Sequence, residues 1–244
     1  MTDLRRTPSI QHAVALVRET VSATFAEMEK LDAAHISISL NPGRRMFKPL
    51  MEGRSLEWVV RQLKRERWEK NVSPNIDLVR AFEPYARTKH VRWFRECVSH
   101  GYPIGSGIVI PVRPAGYWAE DGKLHVLWPQ CWKGRTLDTV QRSIFNTILR
   151  DTFFVGDFTT AELEWIDLRE QSPHEGRSIE IVNGEELGTV SKDELAEYLS
   201  ILIAAFEQHC AAKAKRREEQ KALRRRKDQE GPWFGDSLPK DPPK

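Results

Sequence analysis

Apolar residues recur at helical spacing at Ile10, Val14, Val17, Val21 and Phe25, with Ala13 and Leu16 widening the stripe. The spacing predicts one helix over residues 8–33. Its entry is Thr7 as N-cap and Pro8 at the first helical position, where the missing N–H costs nothing. HISISL then alternates briefly, and NPG at 41–43 predicts a turn. Ser55 caps a second predicted helix, LEWVVRQLKRERWEK, with Leu56, Val59, Val60 and Leu63 on its buried side. A third helical region is expected over residues 74–98, kinked or broken by Pro84.

From residue 104 the period changes. IVIPVR, GYWAE and KLHVLW read as successive strands, the last two joined by a hairpin turn at Asp121-Gly122. TLDTVQRSIFNTILRDTFF reads as a helix with Leu137, Val140, Ile144 and Ile148 on one side. AELEWIDL and RSIEIV follow as strands, the second closing on Asn183-Gly184. Ser191 and Glu194 form a capping box ahead of a long helix whose apolar face is Leu195, Tyr198, Leu199, Leu202, Ile203 and Phe206. That helix stops being amphipathic near His209 and runs on as KAKRREEQKALRRRK.

The fold class this order predicts is α+β: N-terminal helices, a small mixed sheet with an inserted helix, and a long C-terminal helix running into a basic extension. The expected organisation is a helical region over 1–100, an α+β core over 101–212, a basic helical extension over 213–230 and an extended proline-rich tail over 231–244.

Composition sets outer bounds on this picture. The chain has 244 residues, 40% hydrophobic and 30% charged, and no apolar run approaches the roughly 20 residues that span a bilayer. MTDLRRTPSIQ lacks the apolar region of a secretory signal. Cys97, Cys131 and Cys210 are widely spaced and odd in number, which suits a reducing compartment, so a cytoplasmic protein without a membrane partner is expected. The net charge of +3 is unevenly spread. Residues 213–244 hold eleven Lys/Arg against six Asp/Glu, whereas the rest of the chain is slightly acidic. A polyanion would be gripped at that end.

The stretch DGKLHVLWPQCWKG (121–134), followed by a helix bearing Gln141 in TVQRSIFNTIL, resembles the PD-(D/E)XK nuclease fold, in its RecB-like branch. AELEWIDLRE, RSIEIVNGEEL and the helix capped at Ser191 stand where that branch has its accessory hairpin and closing helix, so the resemblance covers residues 104–206. It implies an Asp on the first hairpin strand, then an Asp or Glu and a Lys two residues later on the second. Those carboxylates would hold one or two Mg²⁺ that activate a water. In this chain the matching positions carry Gly116–Trp118, Trp128 and Gln130, and only Gln141 has a counterpart. Neither Gly nor Trp offers a side-chain oxygen to a hard cation. The resemblance thus implies a nuclease layout with no metal or other cofactor. The alternative is a Mg²⁺-dependent nuclease in a different register, using Asp121, Asp157 and Glu164 with Lys133 nearby.

Each candidate also has a plainer role. Glu120 and Asp121 suit a hairpin turn, and Asp157, Glu162, Glu164 and Asp167 suit a solvated strand surface on which alternation puts Glu162 and Glu164 on one face and Asp167 on the other. His125, a formal candidate base, is expected at the surface of its strand, and Cys131 is expected to be inert. Gln141 lies inside an apolar helix face, as a clamp on a chain end or a remnant of a site. Trp58 and Trp165 belong to apolar patterns, while Trp118, Trp128 and Trp132 form either a base-stacking platform or filling for the space of the missing metal site.

Lys213, Lys215, Arg216, Arg217, Lys221, Arg224, Arg225, Arg226 and Lys227 would bind phosphate without sequence choice, or form a solvated helix stabilised by Lys215–Glu219 and Arg224–Asp228 pairs. Trp233 and Phe234 in WFGDSLPKDPPK are possible anchors for a protein partner. The expected function is that of a non-enzymatic, nucleic-acid-associated accessory or adaptor protein. The off-register nuclease and a protein-interaction module are the alternatives.

Overall fold

The computed structural model describes residues 8–33, 38–134, 136–172 and 176–229. Its centre is a four-stranded sheet made of β3 (Gly116–Glu120), β4 (Lys123–Gln130), β5 (Glu162–Asp167) and β8 (Glu180–Asn183), in that spatial order. The β3–β4 hairpin is antiparallel and turns at Asp121 and Gly122, both in the left-handed region at φ 50° and 79°. Asp tolerates that conformation and Gly has no Cβ to oppose it. Strand β5 runs parallel to β4, and the connection between them carries α7 (Thr139–Phe153). The expected α+β class, with a helix inserted into a mixed sheet, is the class observed.

The sheet separates two apolar layers. On one face Val126, Trp128, Leu163 and Trp165 pack against α1 (Ile10–Leu16), α7 and α8 (Lys192–Gln229). On the other, Trp118, Leu127, Ile166 and Leu168 pack against α4 (Phe47–Met51), α5 (Leu56–Leu63) and α6 (Glu69–Thr88). Strand alternation accounts for this division, because successive side chains leave opposite faces.

Several local expectations are corrected. The helix expected over 8–33 breaks into α1 and α2 (Val21–Ala33). The Arg18 guanidinium donates to the carbonyls of Ala15 and Val17, so the last turn of α1 is satisfied by a side chain rather than by further helix. NPG forms no simple turn but opens α3 (Asn41–Arg45), with its proline in the first turn. There the Gly43 N–H donates to Asn75 Oδ1 at 2.6 Å, and a Cβ on Gly43 would stand 2.7 Å from that oxygen. The second helix ends at Leu63 instead of running through WEK. Helix α6 starts at Glu69 and passes through Pro74 and Pro84 without a break. Burial of Ile76, Leu78, Val79, Phe82 and Tyr85 outweighs the hydrogen bonds that the prolines remove. The helical region expected to reach residue 98 ends at Thr88, and His100–Gly105 is β1, paired antiparallel with β2 (Ile108–Val112) as a sheet of its own rather than part of one sheet. A further small ladder joins β6 (Glu170–Ser172) to β7 (Gly176–Arg177).

Candidate functional site

The hairpin positions where the resemblance calls for metal ligands are filled by the core. Trp118 is fully buried, stacked between His125 (centroids 5.2 Å apart) and Phe94 (6.2 Å). Trp128 leaves the opposite face and meets Phe145 edge-on at 4.7 Å, which in turn meets Trp165 at 4.7 Å. Trp132 is half-buried, with the His12 ring 5.2 Å away. The three indoles therefore make no common stacking surface, because the pleat sends Trp118 and Trp128 to different layers. Gln130 is fully buried and donates from Nε2 to Thr136 Oγ1, whose hydroxyl donates to Asp167 Oδ2 at 3.3 Å. An indole, an amide and a glycine do not fit a divalent cation at this place.

Gln141 is the clamp. Its backbone N–H is taken by Asp138 Oδ1 and its Oε1 accepts from the Asp138 N–H, completing a capping box at the start of α7. Its Nε2 donates to the carbonyls of Ala15 and Val17, the same groups that Arg18 reaches. One side chain thus ties the start of α7 to the end of α1.

The off-register quartet is scattered. Asp121 is exposed in the hairpin turn, and Asp157 is exposed in a short 3-10 turn, Gly156–Phe158. Lys133 pairs with Glu170 at 3.0 Å, and Glu164 is buried on β5. Among the described residues no three His, Cys, Asp or Glu side chains form a group that could hold a metal ion.

Glu164 is the centre of a different constellation, which corrects the solvated-face expectation. Tyr85 Oη, from α6, donates to its Oε2 at 2.7 Å, and Lys89 Nζ, from the residue that caps the end of α6, donates to its Oε1 at 2.8 Å. His125 Nδ1 lies 2.9 Å from Oε1. Burial pushes the Glu164 carboxyl up, but His125, Lys89 and Tyr85 overcome it and hold the group at about 2. The same contact with Glu164 raises His125. His125 is thus an inward-facing ion-pair partner rather than a surface histidine. Asp167 is also buried, and desolvation raises it. Glu162 alone keeps the exposed role, paired with Lys123. Glu120 accepts the His90 N–H at 2.6 Å. The network's geometry joins α6 and the residue after it to the sheet. The Cys131 thiol is buried, and desolvation raises it to about 11, which makes it a poor nucleophile.

The basic strip divides along α8. Arg216 makes a bidentate pair with Glu29 of α2 at 2.6 and 2.8 Å, and Lys213 pairs with Asp32. Between them His209 faces Glu29 through Nδ1 at 2.7 Å and Asp32 through Nε2 at 2.9 Å. Farther along, Lys221 pairs with Glu218. Lys215, Arg217, Arg224, Arg225 and Arg226 are exposed and form no ion pair with a carboxylate among the described side chains, although Arg225 helps to lower Glu218 after Lys221. The helix continues thirteen residues past Arg216, about 20 Å at 1.5 Å per residue. The Lys227 side chain, Trp233 and Phe234 lie outside the described residues.

No protein-family model matches the chain. No curated protein matches it either. Among solved structures, one named "Putative exonuclease", from Eubacterium rectale, aligns at 13% identity and a TM-score of 0.38, over 80% of this chain and 76% of that one. The crystal structure of SSO0001 aligns at 11% identity and a TM-score of 0.32, over 75% of this chain and 83% of that one. Among the described residues no helix is long and apolar enough to cross a membrane.

Proposed function

We propose that this chain is a nucleic-acid-associated accessory protein that holds phosphate without cleaving it. The observation that carries the reading is the outer part of α8, where Lys215, Arg217, Arg224, Arg225 and Arg226 stand in solvent and form no ion pair with a described carboxylate. Exposed guanidinium and ammonium groups on one helix release counterions from a polyanion, and they do so for any sequence. Lys213 and Arg216, committed to Asp32 and Glu29, anchor the helix instead of contacting ligand. The order of hairpin, helix and parallel strand supports the resemblance to PD-(D/E)XK proteins, and Trp128 and Gln130 stand where that resemblance would require a carboxylate and a lysine.

Gel-shift assays on a labelled duplex test this, run in EDTA and, separately, in Mg²⁺ or Mn²⁺. The reading expects a shifted band in both and full-length nucleic acid recovered from both. Metal-dependent shortening of the probe, or no shift at low salt, refutes it.

A further inference from the structure

A second charged surface lies on the opposite layer of the molecule, between α5 and α6. Helices α5 and α6 leave between them a groove of about 390 Å³ with Leu56 and Val60 among its walls and three cations, Arg61, Lys64 and Arg80, along it. Arg61 and Lys64 meet no carboxylate among the described residues, and Arg80 approaches only Asp77 at 3.8 Å. Glu57, the one acid lining the groove, is held below the usual carboxylate range by its own backbone N–H and by Ser55 at the helix start.

The link from the groove to α6 adds an aromatic ring. Trp68 is 58% exposed, although burial is the usual reason for a tryptophan. It stands at the N-cap of α6, where Ser, Thr, Asp or Asn would accept a backbone N–H, and its side chain makes no cap bond. Neither packing nor capping accounts for it. Arg67 lies over its ring at 5.6 Å. An indole in solvent next to Arg67, on the link that leads from Lys64 to α6, is a feature that single-stranded nucleic acid selects, because an unpaired base has a free face to stack while its phosphates take the charges.

We infer that the α5–α6 groove and Trp68 form a contact for single-stranded nucleic acid, the phosphates on Arg61, Lys64 and Arg80 and a base on the indole. This rests on the reading of the chain as nucleic-acid-associated and adds strandedness to it. Because α5 and α6 cover one face of the sheet and α8 the other, the two surfaces can be disabled separately.

The test uses the full chain and fluorescence anisotropy of a labelled oligothymidylate and of a duplex, across salt. Arg61→Gln with Lys64→Gln should weaken oligothymidylate binding and flatten its salt slope by about 1.4, at roughly 0.7 per lost phosphate contact. Trp68→Ala should lower the ratio of single-strand to duplex affinity at least about fivefold, the effect of losing one stacked base, and Trp68→Phe should restore most of it. If the groove variants bind oligothymidylate as the wild type does while neutralising Arg224, Arg225 and Arg226 abolishes binding, this inference falls and the reading of α8 stands. If the wild type binds neither probe at low salt, both fall.

Discussion

The Tyr85 hydroxyl and the Glu164 carboxylate meet at 2.7 Å across 79 positions of sequence, and through this bond α6 is fastened to β5. Tyr85→Phe removes the donor and keeps the ring against Phe82. The expected cost is about 1–2 kcal/mol, measured as a lower urea midpoint at unchanged slope. Lys89→Met leaves a buried carboxylate short of its cation and should cost about 3 kcal/mol.

The same network sets a pH window. Glu164 is depressed to about 2, so its stabilisation is complete above the ordinary carboxylate range and is lost as pH falls toward 2. His125 is raised, so its contribution is complete below the ordinary histidine value and is lost as pH rises through the folded-state value. Thermal melts from pH 3 to 9 should show the contribution of this pair greatest at about pH 5–6. His125→Gln should remove the alkaline loss, and an unchanged alkaline limb would show that His125 is not its source.

Gln141→Leu should cost about 2–3 kcal/mol, because it breaks the capping box and frees the Ala15 and Val17 carbonyls of one partner. Hydrogen exchange should rise at the first turn of α7 and at the end of α1 together. A rise confined to α7 would mean that the amide only caps its own helix.

Much of the architecture was legible because its causes are local. Ser55 and the Ser191–Glu194 box cap helices within three residues of themselves. The Asp121-Gly122 turn states its own conformation. The polar interior was not legible for the opposite reason. Alternation placed Glu162 and Glu164 on one strand face, as found, but nothing near them announced that Tyr85 and Lys89 would cover Glu164. The break after α1 depends on Gln141, more than 120 residues away. On α8, Lys213 and Arg216 look in sequence like their exposed neighbours, and only the approach of α2 distinguishes them.

Both ring nitrogens of His209 face carboxylates, Nδ1 at 2.7 Å from Glu29 and Nε2 at 2.9 Å from Asp32. Arg216 first, then His209, lowers Glu29, and Lys213 and His209 lower Asp32 against the desolvation that raises it. The contribution of these two acids is therefore present above their ordinary values and lost as pH falls. His209→Ala should raise hydrogen exchange in Val21–Ala33 at neutral pH, and the wild type should lose protection there on acidification. Unchanged exchange would show that apolar contacts such as those of Met28 hold α2 alone.

The central claim is that exposed cations of α8 hold phosphate without a metal, and the salt dependence of duplex binding in EDTA tests it most directly. Between about 50 and 200 mM salt the wild type should lose affinity linearly on a double-logarithmic plot. Replacing Arg224, Arg225 and Arg226 with Gln should flatten the slope by about 2.7, at roughly 0.9 per phosphate contact. A variant slope equal to that of the wild type, or wild-type binding that requires divalent cation, would contradict the account.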